Sequence, residues 1–141
     1  TNIDELLKVF KKSSVLNKNI KKDFCKDVIS VYKRSANILS NEKNISDIMG
    51  STDPGLFKND FEKNLYKRVN EIRKYFSSVD KSENYEESLM TLSLAKNEVN
   101  AFFENVVVND VDPIIKKNRL ELIKMLCKSF ENYLNFSKIE A

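Results

Sequence analysis

The chain has 141 residues, 41% hydrophobic and 32% charged, with a net charge of +3 and only two glycines and two prolines. That describes one compact helical domain with enough apolar material for a core and few tight turns. Histidine is absent, which removes the commonest general base and metal ligand, and two isolated glycines make no phosphate-cradling loop.

No run of about 18 apolar residues and no charged-then-apolar leader occurs, so insertion into a membrane and secretion are not expected and the cytoplasm is the expected compartment. The charge is unevenly spread. Residues 1–44 hold ten Lys and Arg against five Asp and Glu, whereas residues 45–141 hold fourteen against sixteen. A cationic N-terminal third suits an anionic partner, although Lys-rich helix faces are also simply solvated.

In chain order, Ile3, Leu6, Leu7 and Phe10 predict a short amphipathic helix ending near Ser13-Ser14. A second helix is expected from about Asn19 to Ser40. Ile20, Phe24, Val28, Val31, Ser35 and Ile38 form one stripe, and Cys25, Ile29, Tyr32, Ala36 and Leu39 form the next. Its opposite side carries Lys22, Lys26, Ser30, Lys33, Arg34 and Asn37 at helical spacing. Residues 41–58 contain both glycines and Asp53-Pro54-Gly55 among Ser, Asn and Asp, which predicts an internal loop that hinges the two halves.

Asn59 followed by Glu62 has capping-box spacing and opens a third helix with Phe61, Leu65, Val69, Ile72, Phe76 and Val79 on one face. It is expected to stop between Ser77 and Lys81. A fourth helix from Ser82 or Asn84 places Tyr85, Leu89, Leu92, Val99, Phe102 and Val106 in register, with Glu86-Glu87 favouring its N-terminal dipole. The β-branched Val106, Val107 and Val108 then suit an extended connector. Asp112-Pro113 restarts a helix, with Asp as N-cap and Pro at the first helical position. Leu120, Ile123, Cys127, Phe130 and Leu134, widened by Leu122, Leu126 and Tyr133, make that last helix deeply packed. Cys25 and Cys127 fall on apolar stripes without CxxC spacing and are expected to be reduced core thiols.

Arg119 projects into the last helix's apolar stripe and needs a partner. One reading is a structural arginine whose fork holds Glu104, Asp110 or Asp112, and the other is contact with a phosphate or a base. No nucleophile–base pair, metal-ligand cluster or nucleotide-binding signature is present, so the chain itself is expected to be non-catalytic, with no metal and no cofactor.

Phe102-Phe103, the valine run, Asp112-Pro113 and Asn118-Arg119-Leu120 ahead of an apolar helix resemble the helical DALR-type anticodon-binding domain of arginyl-tRNA synthetases and of the bacterial glycyl-tRNA synthetase beta subunit. Tyr32-Lys33-Arg34-Ser35-Ala36-Asn37-Ile38-Leu39, Asp53-Pro54-Gly55-Leu56-Phe57 with Glu62, Leu65 and Tyr66, and the ending Phe136-Ser137-Lys138-Ile139-Glu140 are similar to the glycyl beta subunit in particular. The resemblance covers roughly Val28 to Ala141. It implies an all-α bundle of about five helices, with residues 1–141 forming a single anticodon-binding domain, the C-terminal fragment of a longer subunit. It also implies a parent enzyme that attaches glycine to tRNA with ATP and magnesium, its active site lying on a separate alpha subunit in an α2β2 heterotetramer. The alternatives are the related arginyl domain and a helical protein-interaction module with no RNA role.

Reading an anticodon loop needs cations for the phosphate track and amide or aromatic groups for unstacked bases. The candidates for tRNA binding are Lys26, Lys33, Arg34 and Asn37 on the second helix, and Lys116, Lys117, Asn118 and Arg119 at the start of the last one, where free N–H groups also favour phosphate. No aromatic platform is evident, because most Phe and Tyr residues fall on core stripes.

Overall fold

The computed structural model describes residues 21–42, 47–78 and 90–140, with side chains described over 26–42, 47–77 and 90–131. Four helices occur in them, α1 (Lys21–Ser40), α2 (Asp60–Ser78), α3 (Lys96–Asn105) and α4 (Pro113–Glu140), with a 3-10 turn at Pro54–Leu56 between α1 and α2. There is no strand among the described residues. The all-α expectation holds. The expected helix at Ile3–Phe10, the Cys25 side chain and Glu86-Glu87 lie outside the described residues.

Helix α4 is the centre of the bundle. It packs on both α1 and α2, while α3 lies against α2 and α1. Leu120, Leu122, Ile123, Met125, Leu126, Cys127 and Phe130 of α4 are all buried, together with Val28, Val31, Tyr32 and Leu39 of α1, Leu65, Val69 and Ile72 of α2, and Val99 and Phe102 of α3. Each such apolar side chain removed from water contributes about 1.5–3 kcal/mol. The rings of Tyr32 and Phe130 stack at 5.7 Å and lock α1 to α4. An Arg68 clasp adds a polar tie from α2 to α3, its Nε donating to Glu98 Oε1 at 2.9 Å. Burial pushes the Cys127 thiol up to about 12, as befits an inert core sulfur.

The helix starts follow the expected cap chemistry with one change. Asp112 Oδ1 accepts the Ile114 N–H at 2.9 Å, directly ahead of Pro113. Asn59 Oδ1 accepts the Glu62 N–H at 3.1 Å. The Glu62 carboxylate, however, reaches back to the Lys58 N–H at 2.9 Å, one residue beyond the reciprocal capping-box bond.

One expectation is corrected. The helix leading to the corner is not continuous. Residues 90–93 are helical, residues 94 and 95 form a turn, and α3 begins at Lys96. The Ala95 N–H bonds Leu92 O at 3.2 Å, a three-residue closure that tightens the chain and leaves Leu94 exposed. Residues 49–53 of the expected 41–58 loop are tied down along α4. Asn118, Glu121, Met125 and Lys128 stand on one side of α4 at steps of three, four and three, and every one of them holds the loop. Asn118 brackets Asp53, accepting its N–H at 2.8 Å and donating to its carbonyl at 3.0 Å. Glu121 Oε1 accepts the N–H groups of Met49 at 2.7 Å and Gly50 at 2.9 Å. Thr52 Oγ1 lies 3.8 Å from Met125 Sδ, and Lys128 Nζ donates to Met49 O.

Candidate nucleic-acid interface

The eight candidate residues fall in two places, and the structure treats them differently. At the corner where α3 turns into α4, the extended backbone at Val106 ends α3, as the β-branched run predicts. Arg119 is buried there at 6% exposure against a fully buried Glu62. Its Nε lies 3.3 Å from Glu62 Oε2 and its NH2 3.4 Å from Glu62 Oε1. Its NH1 donates to Val107 O at 2.6 Å and to Asp110 Oδ2 at 3.2 Å. Asp110 is thus a partner as expected, but Glu104 and Asp112 are not, and the main carboxylate, Glu62, comes from α2. The motif pairs across 57 residues of sequence, so spacing along the last helix could not reveal it.

Asn118 and Arg119, candidates for nucleic-acid contact, are turned inward. Both side chains are buried and their polar atoms are engaged by the protein's own backbone and carboxylates. Lys116 is half-buried and its Nζ sits 3.4 Å from Glu42 Oε2. Lys117 is exposed and lines shallow depressions with Glu42, Asp47 and Asp53, beside exposed Met49 and Ile114. Among the described residues acids outnumber bases on that surface.

The outer face of α1 is the opposite case. Lys26, Ser30, Lys33, Arg34 and Asn37 are all exposed. Helical rise makes the ladder from Lys26 to Asn37 about 16 Å long. None of its three cations forms an ion pair with a described residue. The apolar stripes behind, with Val28, Val31, Tyr32 and Leu39 buried, hold the ladder still. Ser35, which sequence spacing places on the core side, is fully buried and returns its hydroxyl to Val31 O at 2.8 Å. One contact was not anticipated. The Arg34 guanidinium lies over the ring of Phe103, 4.6 Å from its centroid.

Neither glycine fits a nucleotide phosphate site. The Gly50 N–H is taken by Glu121 and the Gly55 N–H by Asp53 Oδ1. Among the described residues no group of three His, Cys, Asp or Glu side chains could hold a metal, and no helix is long and apolar enough to cross a membrane.

Among the described residues, a bundle with a self-neutralised corner and a cationic helix face without ion pairs defines an all-α domain that presents charge along one helix. The chain belongs to the DALR anticodon binding domain family, whose pattern it matches over residues 28–141. It is similar to the glycine-tRNA ligase beta subunit of Rickettsia prowazekii (strain Madrid E), with 32% identity over 128 residues, 91% of this chain and 19% of that protein. The same subunit of Rickettsia canadensis (strain McKiel) is 32% identical over 136 residues, 96% of this chain and 20% of that protein. That of Rickettsia felis (strain ATCC VR-1525 / URRWXCal2) is 33% identical over 117 residues, 83% of this chain and 17% of that protein. The chain spans about a fifth of the length of these curated relatives. The segments Tyr32–Leu39 and Asp53–Phe57, on which the resemblance rests, both lie inside the matched region.

Proposed function

We propose that this chain is the tRNA-binding domain of a glycyl-tRNA synthetase beta subunit, engaging the anticodon region while glycine is attached to tRNA elsewhere in the enzyme. Family membership and the names of the relatives support the assignment. The observation that carries the mechanism is the exposed cationic ladder on α1, whose three cations form no ion pair with a described residue, because a helix face of positive charge attracts a phosphate backbone. Lys26, Lys33 and Arg34 supply the charge, and Asn37 supplies an amide able to donate to and accept from a base edge.

In this reading the domain positions tRNA and performs no chemistry. ATP with magnesium is bound by other parts of the parent enzyme, and an alpha subunit carries the aminoacylation site in an α2β2 assembly in the cytoplasm. The purified chain binds tRNA but forms no glycyl-adenylate.

The direct test is the salt dependence of binding to glycine tRNA, followed by fluorescence anisotropy. A cation on a single-strand phosphate contributes about 0.7 to the slope of log affinity against log salt. Replacing Lys33 and Arg34 together by Ala is expected to flatten that slope by about 1.4, with an unrelated tRNA as control. An unchanged slope and affinity would reduce the face to solvated surface and remove the mechanism.

A further inference from the structure

Resting on the tRNA-binding reading above, we infer that Arg34, Phe103 and Asn37 form a subsite for one unstacked nucleobase, with the Arg34 guanidinium as the stacking plane and Asn37 as the reader of the base edge.

Among its described residues the basic ladder of α1 has no exposed aromatic of its own, which leaves a single-stranded loop without an obvious platform. The structure supplies one through α3. Phe103 is half-buried against the core and braced edge-on by the fully buried Phe102, ring centroids 5.5 Å apart at 76°. The Arg34 guanidinium lies over that ring. Guanidinium is planar, delocalised and weakly hydrated, so it stacks on aromatic faces where an ammonium would stay in water.

With one side resting on Phe103, Arg34 is still an exposed residue, and an arginine plane is an accepted partner for an unstacked base. Its N–H edge stays free for a phosphate, since no described carboxylate pairs with it. The contact with Phe103 also pre-orders a side chain that would otherwise lose rotamer freedom on binding. Asn37 stands three residues further along α1, on the neighbouring position of the same face. It is exposed, and among the described residues its amide has no partner. Lys33 beside it carries charge without a plane, so the pair divides the work, with backbone charge at Lys33 and base contact at Arg34.

The test pairs protein variants with an RNA lacking single bases. An anticodon stem-loop of glycine tRNA is made with an abasic nucleotide at each loop position in turn, and affinities are measured for the wild-type chain, Arg34→Lys and Asn37→Ala. The Arg34→Lys variant keeps the charge, so its salt slope should match the wild type. Its affinity for the intact loop should fall about tenfold, within the range of one base stacked on a side chain. At one loop position the abasic substitution should weaken the wild type by a similar factor and leave Arg34→Lys almost unaffected, because both changes remove the same contact. Asn37→Ala should be non-additive at that same position.

Losses that simply multiply at every loop position, with the slope still flattened in the Lys33→Ala, Arg34→Ala double variant, would overturn the subsite and leave the basic face standing. A wild-type chain that fails to bind the stem-loop, or whose slope ignores the double variant, would overturn both. Melting curves of Arg34→Lys and Asn37→Ala are expected to superimpose on the wild type, which excludes misfolding as the source of a loss.

Discussion

The corner at the start of α4 and the outer face of α1 carry the same kinds of side chain and use them for opposite ends. At the corner Arg119 is enclosed by Glu62, Asp110 and the Val107 carbonyl, and Lys116 reaches Glu42. On α1 Lys26, Lys33 and Arg34 stand in solvent without a described acid. A buried arginine must be neutralised at once, because an unpaired charge in the core is far more costly than any gain from folding around it. An exposed lysine carries no such demand, and its charge stays available to a partner. Counting basic residues therefore says little about function until their carboxylates have been counted as well.

The sharpest break of this comparison is Arg119→Ala. It strands the fully buried Glu62 carboxylate and releases Val107 and Asp110. A loss of about 3 kcal/mol in urea unfolding is expected, while tRNA affinity measured at low temperature, where the chain is still folded, stays within about twofold. A stability unchanged by the substitution would contradict the buried network. Next in size is Glu121→Ala, which removes the acceptor of the Met49 and Gly50 N–H groups. Two donors left without their bonds cost about 2 kcal/mol, and limited proteolysis should open the chain within residues 47–53. Resistance to cleavage equal to the wild type would show that Asn118, Met125 and Lys128 secure the loop without Glu121.

These two networks also mark where sequence reading stops. The α1, α2 and α4 stripes were legible, since Val28, Val31, Leu65, Val69, Leu120 and Ile123 recur at helical spacing and spacing is what burial selects. The Asp112-Pro113 start and the extended Val106 were legible because caps and β-branched runs act locally. Glu62 was visible as a cap, but its second role depends on α2 lying against α4, a tertiary fact with no local trace. The stripe of Asn118, Glu121, Met125 and Lys128 was present in the sequence at helical spacing. Only Asn118 was singled out in it, as a candidate for tRNA contact, because nothing local distinguishes a solvated polar stripe from one covered by a loop. The break at Leu94-Ala95 was missed for a related reason, as the apolar register from Leu92 to Val99 continues across it. On α1 the exposed ladder from Lys26 to Asn37 was legible, while the Lys22 side chain lies outside the described residues; the Phe103 support beneath Arg34 comes from a helix some 70 residues away in sequence.

Gly50 tests the loop's backbone with less force. Its φ of 84° lies in the left-handed region, and a Cβ there would meet the Lys128 side chain at 3.4 Å. The neighbour is the flexible stem of a lysine, so the main cost of Gly50→Ala is the conformation itself, about 1 kcal/mol. A shift in the urea midpoint without a change in its slope would show that the loop keeps its place and only the turn is strained. No change in midpoint would place Gly50 outside the left-handed region in solution.

The smallest expected effect sharpens the comparison most, because it concerns a cation that looks free in both regions. Lys117 is exposed, like Lys33, and sits at the N-terminal end of α4, where helix geometry favours an anion. Its surroundings differ. Glu42, Asp47 and Asp53 share the depressions it lines, and Asp112 already caps the helix start. Among the described residues a phosphate arriving there would meet more carboxylates than ammonium groups, so the lysine mainly offsets its own neighbours. Lys117→Ala is therefore expected to leave stability within about 0.5 kcal/mol and to leave the salt slope of tRNA binding unchanged. A slope flattened by about 0.7 would mean that Lys117 neutralises a phosphate of its own. The RNA track would then run from α1 across to the corner, and the division between a structural and a functional set of cations would move to Asn118.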